Sequence, residues 1–161
     1  LLKNAIPSSA KRWCGASNLS VLAYDRLLEY YGKNVRILNM VRDGRDVVTE
    51  YDKKVMEKYV VDGERWVYDV MSGEKSASSP QVFTVRYEDL VHDYENTIRK
   101  ICKFLGEEDP APLLNYPKNA KFVQNRYWIG KWQQPQYSAR IKYFLQTPGV
   151  LEYLQYYGYI N

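Results

Sequence analysis

Sulfur and imidazole are scarce in this chain, with two cysteines and one histidine among 161 residues. Cys14 and Cys102 fit no metal-ligand spacing and His92 stands alone, so no metal centre is implied. Cys102 falls at an apolar position of an expected helix, where a buried free thiol is the default. A single Cys14–Cys102 disulfide is compatible with the sequence but not required by it. No apolar stretch approaches the about 20 residues of a membrane span. The first residues lack a signal-peptide pattern. Either feature, if the natural protein has it, lies outside this chain, and a cytoplasmic location is expected only if no anchor precedes it. A basic stripe or tail is missing too. The net charge of +4, from 23 Lys and Arg against 19 Asp and Glu, is scattered along the chain. Nucleic acid is therefore not the expected partner, whereas a small phosphorylated ligand needs only a few well-placed cations. Internal repeats and low-complexity tracts are absent.

Tyrosine is abundant, with 16 copies, and aromatics make 15% of the chain. Such rings suit half-buried sites and flat ligands, although most serve a mixed core and surface. The length and the 45% hydrophobic fraction fit one globular domain with its own core.

Periodicity predicts a helix over Ser20 to Tyr31 stopped by Gly32, then a buried strand over Val35 to Val41. A polar turn over Arg42 to Asp46 should lead into a helix carrying Val47, Val48, Tyr51 and Val55. Glu64 to Met71 reads as a helix capped by Asp62, Ser72 to Pro80 as a loop, and Gln81 to Arg86 as a second strand. Asp93 should cap a helix whose face is Tyr94, Ile98, Ile101, Cys102 and Leu105, closed by Gly106. The chain then reads as irregular from a proline-rich turn, Asp109 to Pro112, to Ser138. Two short helices follow, the last with Thr147 as cap and Pro148 in its first turn. The expected fold class is α/β, a parallel sheet flanked by helices in a single domain over residues 1–161. Two strands are few for that sheet, so further strands are expected in sequence not present here.

The strongest local signal is Val41-Arg42-Asp43-Gly44-Arg45-Asp46-Val47-Val48. Ligands of open α/β sheets bind beyond the C-terminal ends of the strands, where Arg42 stands beside a helix start. An arginine fork there suits phosphate. A solvated turn whose Arg and Asp side chains pair with each other fits the same residues.

This segment resembles the 3′-phosphate-binding segment of the sulfotransferase family. Tyr24 to Tyr31 is similar to the helix that precedes it in many members. Val85-Arg86-Tyr87-Glu88-Asp89-Leu90-Val91, with Lys103-Phe104-Leu105-Gly106 ending the next helix, resembles a second landmark. Ile129-Gly130-Lys131-Trp132 resembles the basic loop that closes over the nucleotide. The likeness spans about residues 12 to 158 and implies a partial P-loop-like sulfotransferase fold. It implies 3′-phosphoadenosine 5′-phosphosulfate as donor co-substrate and an unidentified hydroxyl or amine acceptor.

Residue by residue, the resemblance assigns Arg42 to the nucleotide 3′-phosphate. The serine usual eight positions later is Glu50 here, so either neighbouring Thr49 substitutes as donor or that contact is lost. Tyr87 would meet the adenine, and Arg126, Gly130 and Lys131 would belong to the closing loop, with Trp132 packed behind. For Tyr87 and Trp132, plain core packing stands as the other reading.

The likeness stops at the 5′-phosphosulfate loop. Its nearest counterpart, Ile6 to Lys11, has no glycine and no strand before it. Ala16-Ser17-Asn18 stands where many relatives carry a lysine, and Ser17 reads better as a helix cap. His92 reads as a surface residue, and no catalytic base is assigned. A working sulfotransferase with its loop upstream or on another chain is the leading expectation. The alternatives are a catalytically inactive 3′-phosphonucleotide-binding or interaction module, and a nucleic-acid-binding or scaffold domain with coincidental motifs.

Overall fold

The structure is a computed structural model that describes residues 12–17, 20–54, 58–115 and 128–161. A 3-10 turn at Ser20–Ala23 leads into α1, Tyr24–Tyr31, which Gly32 ends with φ of 50°. Strand β1, Ile37–Val41, pairs in parallel with β4, Val82–Arg86, in a register that sets Ile37 against Val82 and Val41 against Arg86. Both strands start later than predicted, by two residues in β1 and by one in β4.

Alternation along the two strands sends side chains to opposite faces. Ile37 and Val82 pack with Tyr24 of α1. Leu38, Phe83 and Val85 pack on the other side against Ile98, Ile101 and Cys102 of α5, Tyr94–Leu105. Helices thus cover both faces of a two-strand parallel sheet, a mixed arrangement consistent with an α/β fold. Buried Asn39 is satisfied within the sheet layer: Tyr24 Oη donates to its Oδ1 at 3.2 Å, and its Nδ2 donates to Thr84 Oγ1 at 3.3 Å. Helix α3, Gly63–Glu74, crosses there at Gly73, where a Cβ would sit 2.8 Å from Asn39 Nδ2.

The largest core lies at the C-terminal end of β1. Val41, Val48, Trp66 and Phe144 pack there with Val150 and Leu154. They bring together α3, α7 (Ser138–Leu145) and α8 (Val150–Tyr156). The helix α2 between them is one turn, Gly44–Val47, and not the longer helix expected through Tyr51. Val48 and Thr49 are fully buried, and Tyr51–Asp52 instead forms β2, antiparallel to β3, Lys58–Tyr59. Arg140 explains this departure: it donates to the carbonyls of Val48 and Val61 and stacks 3.7 Å from the Tyr59 ring, so the chain must turn back. Val55 lies outside the described residues.

Asp62 caps α3 as expected, accepting the Arg65 N–H at 2.8 Å. Asp93 precedes α5, but its carboxylate takes the Asn96 side-chain amide and not a backbone N–H. Thr147 is likewise not the cap of α8, which starts after Gly149 at φ of 84°. Two further α-helices are α4, Tyr87–His92, and α6, Ala111–Asn115, and the stretch expected to be irregular also holds 3-10 turns at Lys131–Gln133 and Pro135–Tyr137. Cys14 and Cys102 are free thiols, the first exposed and the second buried. Among the described residues no helix is long and apolar enough to cross a membrane.

Candidate functional site

Beyond the C-terminal end of β1, Arg42 emerges into a cluster of polar and aromatic groups. Its Nη1 donates to Glu50 Oε1 at 3.1 Å, and its Nη2 donates to the Trp128 carbonyl at 2.8 Å. The guanidinium carbon lies 5.2 Å from the centre of the half-buried Tyr87 ring. Arg42 Nε is buried and has no hydrogen-bond partner among the described residues. Lys131 approaches the other oxygen of the same carboxylate, with Nζ 3.7 Å from Glu50 Oε2 and 3.3 Å from the Thr49 carbonyl oxygen. Trp128 and Tyr137 rings flank that ammonium at 5.1 and 5.5 Å. One carboxylate therefore bridges two cations, and all three side chains are at most 30% exposed.

The Lys131 turn is held from below. Asp46 is fully buried, and its two oxygens accept the backbone N–H groups of Gly130 at 2.8 Å and Trp132 at 3.0 Å. Gly130 bends the chain at φ of 78°, a conformation that favours glycine. Trp132 packs under Arg45, whose guanidinium carbon is 4.1 Å from the ring centre. Burial pushes the Asp46 carboxyl above its ordinary value, while the two backbone bonds pull the other way.

A second buried carboxylate, Glu88 of α4, ties the turn after β1 to the C-terminal segment. Glu88 accepts the Asp43 N–H at 2.9 Å on one oxygen and the Tyr159 hydroxyl at 2.9 Å on the other. Burial, reinforced by Glu88, pushes the Tyr159 phenol well above its ordinary value. Asp43 also accepts the Arg45 N–H and pairs with the Arg45 guanidinium at 2.7 Å. The Asp46 N–H donates to the Asp43 carbonyl. The amides of Asp43, Arg45 and Asp46 are thus already engaged, and α2 is a single turn.

Four of the six residues singled out from sequence come together: Arg42, Tyr87, Gly130 and Lys131. Thr49 does not present its hydroxyl to them, because the side chain is fully buried and donates to the Asp46 carbonyl at 2.8 Å. Arg126 and the Ile6–Lys11 stretch lie outside the described residues. Ser17 is exposed, with Asn18 outside the described residues, and His92 is exposed at the end of α4. Sequence reasoning missed Asp46 and Glu88 as the groups that build the site. A clue was available, since each carboxylate adjoins a residue already singled out from the sequence, Val47 and Tyr87.

A model of the sulfotransferase family matches residues 3–111, well over half of the chain. The chain belongs to the sulfotransferase family. Membership supports a sulfotransferase-type function, the transfer of a sulfuryl group from a donor to an acceptor. The matched span contains Arg42, Glu50 and Tyr87, while the Gly130–Trp132 turn lies beyond it and joins them only through the folded chain. No curated protein and no solved structure matches the chain.

Proposed function

We propose that this chain carries the 3′-phosphate half of a sulfotransferase donor site, which takes 3′-phosphoadenosine 5′-phosphosulfate and passes its sulfuryl group to a hydroxyl or amine acceptor. The observation that supports this reading most is the convergence of Arg42 and Lys131 on one carboxylate at the C-terminal end of β1. Two half-buried cations that can hold one anion from two sides suit a phosphate monoester, and the arginine fork adds directional donors. Tyr87, against Arg42, offers a ring face to the adenine. The Gly130–Lys131 turn would cover the nucleotide, with Trp132 anchoring it beneath Arg45.

The nucleotide, when bound, supplies the activated sulfuryl group. The chain's own residues bind and orient it through the 3′-phosphate, and the cations offset its charge in a partly dry setting. On this reading the two strands are part of a P-loop-like sheet. A binding module without transfer is the second reading, favoured by Ala16 and Ser17 standing where relatives place a lysine.

Calorimetric titration of adenosine 3′,5′-bisphosphate into the chain, with Arg42→Ala as control, tests the site. Saturable binding that the substitution abolishes is the expected result. Well-folded protein that binds no bisphosphate would sink the donor-site reading.

A further inference from the structure

The carboxylate between the two cations belongs to the protein. Glu50 gives one oxygen to Arg42 at 3.1 Å and the other leans toward Lys131 at 3.7 Å, the bridging arrangement that the oxygens of a phosphate would adopt there. We propose that Glu50 is a built-in competing anion and the specificity-determining residue of this site, so that a nucleotide 3′-phosphate binds only by displacing its side chain. This rests on the donor-site reading above and deepens it.

Three features make Glu50 the displaceable member. Its backbone is fixed, because its N–H donates to the Val47 carbonyl at 3.1 Å and its carbonyl accepts the Val60 N–H at 3.1 Å. Its side chain keeps 30% exposure, so the carboxylate can rotate into solvent without moving the chain. The other carboxylates nearby cannot leave: Asp46 is fully buried on two backbone N–H groups, and Asp43 is locked to Arg45. Arg42 and Lys131, by contrast, keep their places through contacts other than Glu50. The Trp128 carbonyl holds the first, and the Thr49 carbonyl with flanking rings holds the second.

The charge balance gives the consequence. Two cations alone favour a dianion strongly over a neutral ribose hydroxyl. With Glu50 present, the gain from the phosphate is reduced by breaking two ion pairs and by leaving a like charge close to the bound group. The preference for a nucleotide with a 3′-phosphate over one without it should therefore be smaller than two cations alone would give, and removal of the carboxylate should sharpen it.

The test is calorimetric titration of adenosine 3′,5′-bisphosphate and of adenosine 5′-monophosphate into wild type, Glu50→Gln, Glu50→Ser and Glu50→Asp. Circular dichroism and melting confirm folding of each. Both neutral variants should bind the bisphosphate about tenfold or more tightly than wild type, the order expected when a like charge beside an anion is removed. Their affinity for the monophosphate should stay unchanged, and Glu50→Asp, which keeps the charge, should resemble wild type. Equal affinity of wild type and both neutral variants for the bisphosphate overturns the role of Glu50 while leaving the donor site standing. Equal tightening for both nucleotides also overturns it, since the effect would then be one of general charge. If no variant binds the bisphosphate, the donor-site reading fails together with this one.

Discussion

The Asp46 carboxylate accepts the Trp132 backbone N–H at 3.0 Å, although 86 positions separate the two residues. Its other oxygen takes the Gly130 N–H, so one buried side chain satisfies two amides of the turn that presents Lys131. The turn lies next to Arg42 because Asp46 sits four residues after it on the single helical turn α2. The position of the second cation is thus decided from within the segment that carries the first.

Asp46→Asn should therefore loosen the turn. An amide offers one acceptor and sets an N–H against the other amide, so a loss of about 1–3 kcal/mol is expected at pH 7, read from denaturant midpoints. Bisphosphate affinity should fall with it. An unchanged midpoint would mean that the turn is held by Trp132 packing alone.

The same variant gives a pH signature. Burial raises the Asp46 carboxyl above its ordinary value of 3.8. A carboxyl raised in the folded chain contributes full stability below its unfolded value and loses that contribution as pH rises through the folded one. The stability difference between wild type and Asp46→Asn should narrow as pH climbs from 3.8 through that value. A difference that widens would show that the two backbone bonds outweigh burial.

Glu88 and Tyr159 make a second test. Glu88→Ala leaves the Asp43 N–H and the Tyr159 hydroxyl without their acceptor, for an expected loss of about 2–3 kcal/mol. Glu88→Gln retains one acceptor and should lose less. Equal melting temperatures for the two variants would rule out a role for these hydrogen bonds in holding the Asp43 turn and Tyr159 to α4.

Gly44→Ala probes the packing beneath α2. A Cβ there would lie 2.5 Å from Trp66 Cε2 and 2.6 Å from Phe144 Cζ, and neither ring has room to retreat in this core. Overpacking should cost about 1–3 kcal/mol in chemical denaturation. Retained wild-type stability would mean that the two rings, which meet edge to face, shift together.

Lys131→Ala separates binding from stability. Its pair with Glu50 is partly exposed, so the folded chain should lose less than about 1 kcal/mol. Adenosine 3′,5′-bisphosphate should bind about tenfold or more weakly, the scale of a lost charge-assisted hydrogen bond. Unchanged affinity would remove Lys131 from the site.

Much of this arrangement was legible in the residues. The apolar run from Val35 to Val41 declared a buried strand, and the apolar spacing of Tyr94 to Leu105 declared the helix behind it, because burial leaves periodic traces. Arg42 and Lys131 were legible through their motifs. The fate of the chain after Val48 was not. Val47, Val48 and Tyr51 fit a helix locally, but Arg140, distant in sequence, binds the Val48 and Val61 carbonyls on either side of the β2–β3 hairpin.

The sequence by itself determined the family, the two principal strands with their helices, and the presence of a cation where the first strand ends. These follow from local periodicity and short motifs, which need no knowledge of distant partners. The tertiary structure decided what surrounds that cation. It set Glu50 between Arg42 and Lys131, turned Thr49 inward, and made Asp46 and Glu88 the fixed acceptors of the site. Charge and hydrogen bonding act over a few ångströms of space, and chain separation has no bearing on them.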